Sequence, residues 1–314
     1  MSSDATMSAP IPPPPAERNS LPGPIMRKSR FSLWLVVTAI LLVLAGGCTQ
    51  PEDLPGGERL VVVTIAPQEE MVKAVAGGQV DVLIMIPPGS DPHTYEPSPH
   101  QLAEASRASV YLAVGKGLLP VEDTLTGRLQ AMNPSLVVVD TSSGIDYLGA
   151  GNSRDPHVWL SLKNAVIMVT NIEKAFTRID PSHKQAYEEG AGDYIRRIEA
   201  LDRTINDSFS GKVNRTIVAS HPAWGYFARD YNLTIIAIEE EGKEPTPKDL
   251  EALVERARES GVTVIFADAL ENRRNAEVIA AEIGASIETV NPLPRDYLAG
   301  MDRSAHLFAR SLPG

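Results

Sequence analysis

Three of the six histidines in the chain both stand next to a proline and follow a predicted β-strand. His93 and His157 each complete an Asp-Pro-His sequence, and His221 begins a His-Pro sequence. A lone histidine beside a proline is usually a turn residue, but all three share the carboxyl side of their strands, where open α/β sheets form ligand crevices. Three neutral imidazoles are a zinc-type ligand set with a fourth position still to be filled. The pattern therefore predicts that these residues converge on one metal ion.

The surroundings of these histidines add two aromatic candidates. Trp159 and Trp224 lie within three residues of His157 and His221, and they are predicted to wall the site and lower its local dielectric constant. The remaining histidines do not follow a predicted strand, since two stand at predicted helix starts and one lies in the last helix. We expect them to be surface or packing residues: His100, His183 and His306.

Two groups of four short apolar runs supply the strands that must position these side chains. The runs are rich in β-branched residues and are separated by helical patterns, which is typical of parallel strands buried on both faces. This predicts an α/β protein with two lobes, each a four-stranded parallel sheet flanked by helices. The runs are 60–66, 80–86, 109–114 and 136–140, then 216–220, 233–239, 262–268 and 285–290.

The segment between the two groups has a helical period throughout. Residues 162–179 form one pattern, and Asp180 and Pro181 then give a helix start signal. Apolar residues recur every three or four positions from Tyr187 to Phe209, on a helix of roughly 29 residues and about 43 Å. We expect one long rigid helix that joins an N-terminal lobe, 59–161, to a C-terminal lobe, 213–314, within a helical connection at 162–212.

The N-terminal part of the chain has the layout of an export signal. A proline-rich stretch precedes a basic cluster at 26–30, and an apolar run at 31–47 then ends in small residues before Cys48. Two interpretations remain open: an uncleaved membrane anchor, or a lipoprotein signal peptide at 1–47 that is cut before a lipid-bearing Cys48. We favour the lipoprotein, because it explains the position of the one cysteine. Residues 48–58 are predicted to be a tether.

Composition excludes several classes of function. The 29 basic residues against 40 acidic ones give a net charge of −11, which argues against nucleic acid as a partner. One cysteine excludes a disulfide framework and any site with several cysteine ligands. The sequence also lacks a P-loop, a dinucleotide fingerprint and a nucleophile elbow, so neither an ATPase nor an evident cofactor enzyme is indicated.

Several motifs together resemble the zinc/manganese solute-binding proteins of ABC importers, the cluster A-I family. They occur in the family order and span about residues 60–305, nearly all of the chain beyond the signal. The motifs are DPHTYEPSP at 91–99, DPHVWL at 155–160, HPAWGYFA at 221–228, EPTP at 244–247, and NPL at 291–293 with Tyr297 and Met301.

This resemblance implies a two-lobed fold with the metal in the cleft between the lobes. It assigns His93 and His157 of the N-terminal lobe and His221 of the C-terminal lobe as ligands. The fourth ligand in the family is commonly an aspartate, whereas this chain has a neutral asparagine at the matching position. The candidates for the fourth position are water first, then Asn291, Asp296 or one of Glu239–Glu241.

The donor set favours zinc over manganese, because imidazole suits zinc whereas manganese prefers carboxylate and water oxygens. The expected role is delivery of Zn²⁺, or alternatively Mn²⁺, to an ABC permease and its ATPase. We expect a monomer attached by lipid to the outer face of the cytoplasmic membrane. A zinc hydrolase is less favoured, since no matched motif supplies a general base, and a metal-dependent surface adhesin remains a further alternative.

Overall fold

The structure, a computed structural model, describes residues 59–239, 245–269 and 273–313. The predicted signal peptide, Cys48 and the tether lie outside the described residues, as do Glu240 and Glu241. Over the three described ranges, none of the helices combines the length and the apolar character needed to cross a bilayer.

The N-terminal lobe contains a parallel sheet with the order β2-β1-β3-β4. Its strands are β1 (Arg59–Val63), β2 (Val80–Ile84), β3 (Val110–Ala113) and β4 (Val137–Asp140), and its helices are α1 (Pro67–Ala76), α2 (Pro99–Ala105) and α3 (Pro120–Met132). Val61 and Val63 enter one apolar core and Val62 enters another, because successive side chains of a strand point to opposite faces. Both faces of this sheet are therefore buried, as the continuous apolar runs predict.

The connection and the C-terminal lobe complete the fold. Helices α4 (Leu162–Ile179) and α5 (Lys184–Ser208) lead into a second parallel sheet with the order β6-β5-β7-β8. Its strands are β5 (Thr216–Ala219), β6 (Thr234–Ala237), β7 (Val264–Asp268) and β8 (Ser286–Val290), and its helices are α6 (Gly225–Tyr231), α7 (Pro247–Glu259), α8 (Arg274–Ile283) and α9 (Tyr297–Ser311). The predicted fold class is confirmed, and the second sheet repeats the strand order of the first.

The described residues form three apolar cores, and the largest is shared by both lobes. Two outer cores cover the far face of each sheet. The central core lies between the sheets and continues through α4, α5 and the short 3₁₀ turn Val158–Leu160. Its members include Val63 of β1, Phe176 of α4, Tyr194 of α5 and Phe308 of α9. Apolar packing as well as the covalent connection therefore joins the lobes.

The long helix is packed along its length and does not stand free as a strut. A 3₁₀ turn at Pro181–His183 precedes α5, which has 25 residues and contacts α4, α1 and α9. At Gly190 a Cβ atom would lie 2.6 Å from the Ala74 carbonyl oxygen, so only glycine permits this approach of α5 to α1. The predicted length holds once the 3₁₀ turn is included, but the sequence did not show that one face of this helix packs against helices of both lobes.

A buried carboxylate fixes the corner between α4 and α5. Asp180 is 5% exposed, and its oxygens accept hydrogen bonds from several side chains. Burial by itself would raise the pKa of this carboxyl, but the hydrogen bonds outweigh it and hold the pKa well below its ordinary value. The bonding side chains are Ser182, Tyr187, Arg59 and His183.

Candidate metal centre

The structure brings His93, His157 and His221 together. One ring nitrogen of each lies within 4.8 Å of the others, and the ring centroids are 5.0–5.4 Å apart. His157 is buried, while the other two rings are half-buried. Among the histidines, cysteines, aspartates and glutamates of the described residues, this is the one group close enough to share an ion. The convergence follows from the sheets, since each histidine lies beyond the carboxyl end of a strand.

The Asp-Pro-His sequence has a local structural reason. The Asp91 Oδ1 atom accepts the backbone N–H of His93 at 2.8 Å, and Asp155 Oδ1 accepts that of His157 at 2.9 Å. Each is a turn in which a carboxylate binds the backbone two residues further on, and the intervening proline fixes φ. The two loops thus use the same device to present a histidine. His221 needs no such turn, because it directly follows β5 and Ser220.

Asp155 also sets the orientation of the His157 ring. Its Oδ1 atom lies 2.8 Å from His157 Nδ1, which leaves Nε2 as the nitrogen that faces the cluster. This Nε2 atom is 3.2 Å from His221 Nε2. Two nitrogens bound to a tetrahedral zinc ion would lie about 3.3 Å apart. In octahedral coordination, where neighbouring metal–ligand bonds meet at right angles, the two nitrogens would lie about 3.0 Å apart. The spacing therefore suits a shared ion, and the choice of metal depends on donor chemistry.

Comparison with known proteins agrees with this geometry. A family model described as ZnuA, the periplasmic zinc-uptake complex component A, matches residues 61–310. The chain belongs to this family. The resemblance to metal-binding importer proteins, inferred from the motifs, is thereby confirmed.

Relatives and solved structures that resemble the chain cover most of its length. A Treponema pallidum protein described as metal-binding is 31% identical over 86% of this chain and 92% of its own length. The manganese ABC transporter substrate-binding lipoprotein PsaA of Streptococcus mitis is 28% identical over 82% of this chain and 86% of its own. A crystal structure of ZnuA superposes with a TM-score of 0.78 at 34% identity, covering 81% of this chain and 99% of that one.

The predicted candidates for a fourth ligand lie outside the group of three histidines. Asn291 is exposed, and its Oδ1 atom accepts the backbone N–H of Leu293 at 2.8 Å. Asp296 is exposed at the start of α9, and neither its carboxylate nor that of Glu239 belongs to the group. In this member of the ZnuA family, the candidate ligands among the described residues are therefore the three imidazoles, and water remains the first candidate for the fourth position.

The two tryptophans near the site have different surroundings. The Trp159 ring is fully buried, with its centroid 5.4 Å from that of His157, and its Nε1–H donates to the Pro292 carbonyl at 2.7 Å. The Trp224 ring lies edge-on to Phe308, 4.9 Å away in the central core. Trp159 thus borders the candidate site, whereas Trp224 packs the C-terminal lobe.

Sequence reasoning missed the carboxylate that supports His157. Asp155 belongs to the Asp-Pro-His sequence, and it binds both the backbone and the ring of the histidine. The repetition of Asp two residues before a histidine was the available signal, because that spacing is typical of such turns. The other histidines lie outside the group, as expected: His100 and His306 are exposed, and His183 contacts Asp180.

Proposed function

We propose that this protein captures Zn²⁺ with His93, His157 and His221 and delivers it to an ABC-type importer. The observation that carries the proposal is the group of three imidazole nitrogens within 4.8 Å of one another, in a chain of the zinc-uptake component family. Three neutral nitrogen donors with one open position suit zinc bound as cargo, since the open position permits exchange. The zinc ion is the substrate of the transport process.

The donor set favours zinc over manganese. Imidazole nitrogens suit zinc, whereas manganese is held best by carboxylate, carbonyl and water oxygens. Among the described residues, the group contains no carboxylate. Manganese is the second candidate, because the similar PsaA of Streptococcus mitis is named as a manganese transporter protein. A direct competition between the two ions distinguishes the candidates.

The proposed cellular setting follows from the same role. A binding component for an importer works outside the cytoplasmic membrane, and the proposed lipid on Cys48 would keep it near the permease and its ATPase. We propose that it acts there as a monomer without catalytic activity. Relatives that share its family include a lipoprotein by name, which supports the lipid anchor.

Competitive metal titration of the purified protein tests the proposal. We expect tight zinc binding at one ion per chain and weaker manganese binding. His93→Ala, His157→Ala and His221→Ala should each weaken zinc binding at least about 100-fold, because each removes one of the metal bonds. His100→Ala is the matched control, since this histidine is exposed on α2 and should leave the affinity unchanged.

The outcomes separate the alternatives. Wild-type zinc affinity in all three histidine variants would show that the site is wrongly assigned. Manganese binding tighter than zinc binding would replace zinc with manganese as the cargo.

A further inference from the structure

We infer that Tyr226 is a positioning residue that couples the loop carrying His157 to the C-terminal lobe, so that the site divides mechanically into a His157–His221 pair and a separate His93. This inference rests on the proposed zinc function of the three histidines. It differs from the division by chain order, in which His93 and His157 belong to the same lobe.

Tyr226 makes two hydrogen bonds across the cleft through one hydroxyl group. The hydroxyl donates to the main-chain carbonyl of Asp155 at 2.9 Å and accepts the backbone N–H of Leu148 at 3.1 Å. The side chain is fully buried, and burial raises the pKa of its hydroxyl to about 12, so the group keeps the proton that it donates. Tyr226 therefore fastens both ends of the segment 148–155 to a helix of the C-terminal lobe.

The start of the same helix also contacts the side chain of Asp155. A Cβ atom at Gly225 would lie 2.6 Å from Asp155 Oδ2, so the backbone of α6 directly faces the carboxylate that orients His157. His221 lies only four residues before Gly225 in the chain. One short stretch, 221–226, thus supplies one histidine and holds the support of another.

Further hydrogen bonds join this loop to the C-terminal lobe on both sides of His157. They come from helices α6 and α9 and from the segment that precedes α9. The bonds are Arg229 Nη1 to the Asp146 carbonyl at 3.3 Å, Tyr297 Oη to the Trp159 carbonyl at 2.7 Å, and Trp159 Nε1 to the Pro292 carbonyl at 2.7 Å. His157 is therefore embedded in a loop bonded to the opposite lobe before and after it.

The loop that carries His93 is bonded to its own lobe. The Tyr95 hydroxyl donates to Gln101 Oε1 at 2.6 Å, and Gln101 Nε2 donates to the Met85 carbonyl at 2.9 Å. These bonds tie the loop to α2 and to the end of β2. A displacement of one lobe against the other would thus change the distances from His93 to the other histidines, while the 3.2 Å spacing of His157 and His221 is kept.

Two measurements on the purified protein test this division, and Tyr231→Phe is the matched control. Tyr231 lies on the same helix and is equally buried, but its hydroxyl donates to Asp202 on α5 at 2.7 Å. In the zinc-free protein, Tyr226→Phe should raise hydrogen–deuterium exchange within 146–158 and leave 87–98 unchanged. It should also weaken zinc binding about tenfold, a cost typical of residues that orient a ligand. Tyr231→Phe should do neither.

The histidine variants give the second measurement. Because the pair is preorganised, His93→Ala should retain about tenfold more zinc affinity than His157→Ala or His221→Ala. Adding Tyr226→Phe to His93→Ala should remove this advantage, because it loosens the pair that remains.

The outcomes distinguish this inference from the function on which it rests. Equal exchange of 146–158 in Tyr226→Phe and Tyr231→Phe, or equal losses in the three histidine variants, would overturn the division while leaving the zinc site intact. Unchanged zinc binding in all three histidine variants would overturn the function itself. If Tyr226→Phe raises exchange throughout the protein, the surface change Arg229→Ala leaves the Tyr226 hydroxyl in place and removes a different bond to the loop, the one to the Asp146 carbonyl, together with the Arg229–Asp230 ion pair within α6 and the contact of Arg229 with the Tyr226 ring. It must raise exchange within 146–158, or the inference is wrong.

Discussion

Glu122 is a buried carboxyl in the N-terminal lobe whose ionisation should make stability depend on pH. It stands in the first turn of α3 and is 3% exposed. Its oxygens accept the Thr64 hydroxyl and the backbone N–H groups of Val114, at 2.6 Å, and Gly115, at 3.0 Å. Burial raises the pKa of Glu122 to about 7, although these hydrogen bonds oppose the increase.

The raised pKa sets both the direction and the size of the effect. The folded protein holds the proton of Glu122 more tightly than the unfolded chain does, whose carboxyl has the ordinary value of 4.5. The stabilisation is therefore fully present below pH 4.5 and is lost as the pH rises through 7. At 1.36 kcal/mol for each pH unit between those values, the free energy of unfolding should fall by about 3 kcal/mol.

Urea unfolding of wild type and Glu122→Gln between pH 4 and pH 8 measures this effect. Glutamine remains neutral, so the variant lacks the loss of stability that ionisation causes. The free energy of unfolding of the wild type, relative to the variant, should decrease by about 3 kcal/mol across this range. Asp123→Asn is the control for replacing an acid by its amide, since Asp123 lies in the same helical turn but is exposed. Parallel pH profiles for wild type and Glu122→Gln would refute the reasoning.

Two further predictions concern the long helix α5 and the corner between α4 and α5 that precedes it. Gly190→Ala should lower the free energy of unfolding by about 1–3 kcal/mol, because the new methyl group would meet the Ala74 carbonyl at 2.6 Å. Gly192→Ala should instead raise it by about 0.5–1 kcal/mol, since the nearest atom is 3.6 Å away and alanine favours helix; thermal melts that rank the two variants in the opposite order would contradict this packing. Asp180→Asn should destabilise the protein at pH 7, and the difference should shrink as the pH falls below 3.8, because the lowered pKa stabilises only the ionised form. A difference that stays constant down to pH 2 would show that ionisation of Asp180 contributes nothing.

The strands and the convergence of the histidines are predictable from the sequence for a simple reason. Continuous β-branched runs separated by helices occur where both faces of a parallel sheet are buried, and all eight runs became strands. Because the strands of each sheet run parallel, their carboxyl ends lie at the same edge of the sheet. His93, His157 and His221 each lie beyond such an end. The motifs of the family supported the same conclusion from independent residues.

Features that depend on contacts between distant segments were not predictable. The apolar stripe on α5 indicated burial, but nothing in its spacing showed that both lobes share the surface it contacts. The nearness of Trp224 to His221 in the chain predicts that its ring borders the metal. In the structure, the Trp224 ring follows the 3₁₀ turn Pro222–Trp224 and packs edge-on against Phe308. The bond from Tyr226 to Asp155 joins residues from different lobes, and no local pattern encodes it.

The shared central core has a consequence for how the chain folds. Each lobe repeats the strand order of the other, yet both lobes contribute residues to the one central core. If either half were made separately, Trp159 and Tyr297 would lose the buried hydrogen bonds that join them to the other half. Each half therefore depends on the other for part of its buried contacts. Unfolding should be one cooperative transition that both sheets undergo together, so a metal ion bound in the cleft would protect the whole molecule from proteolysis.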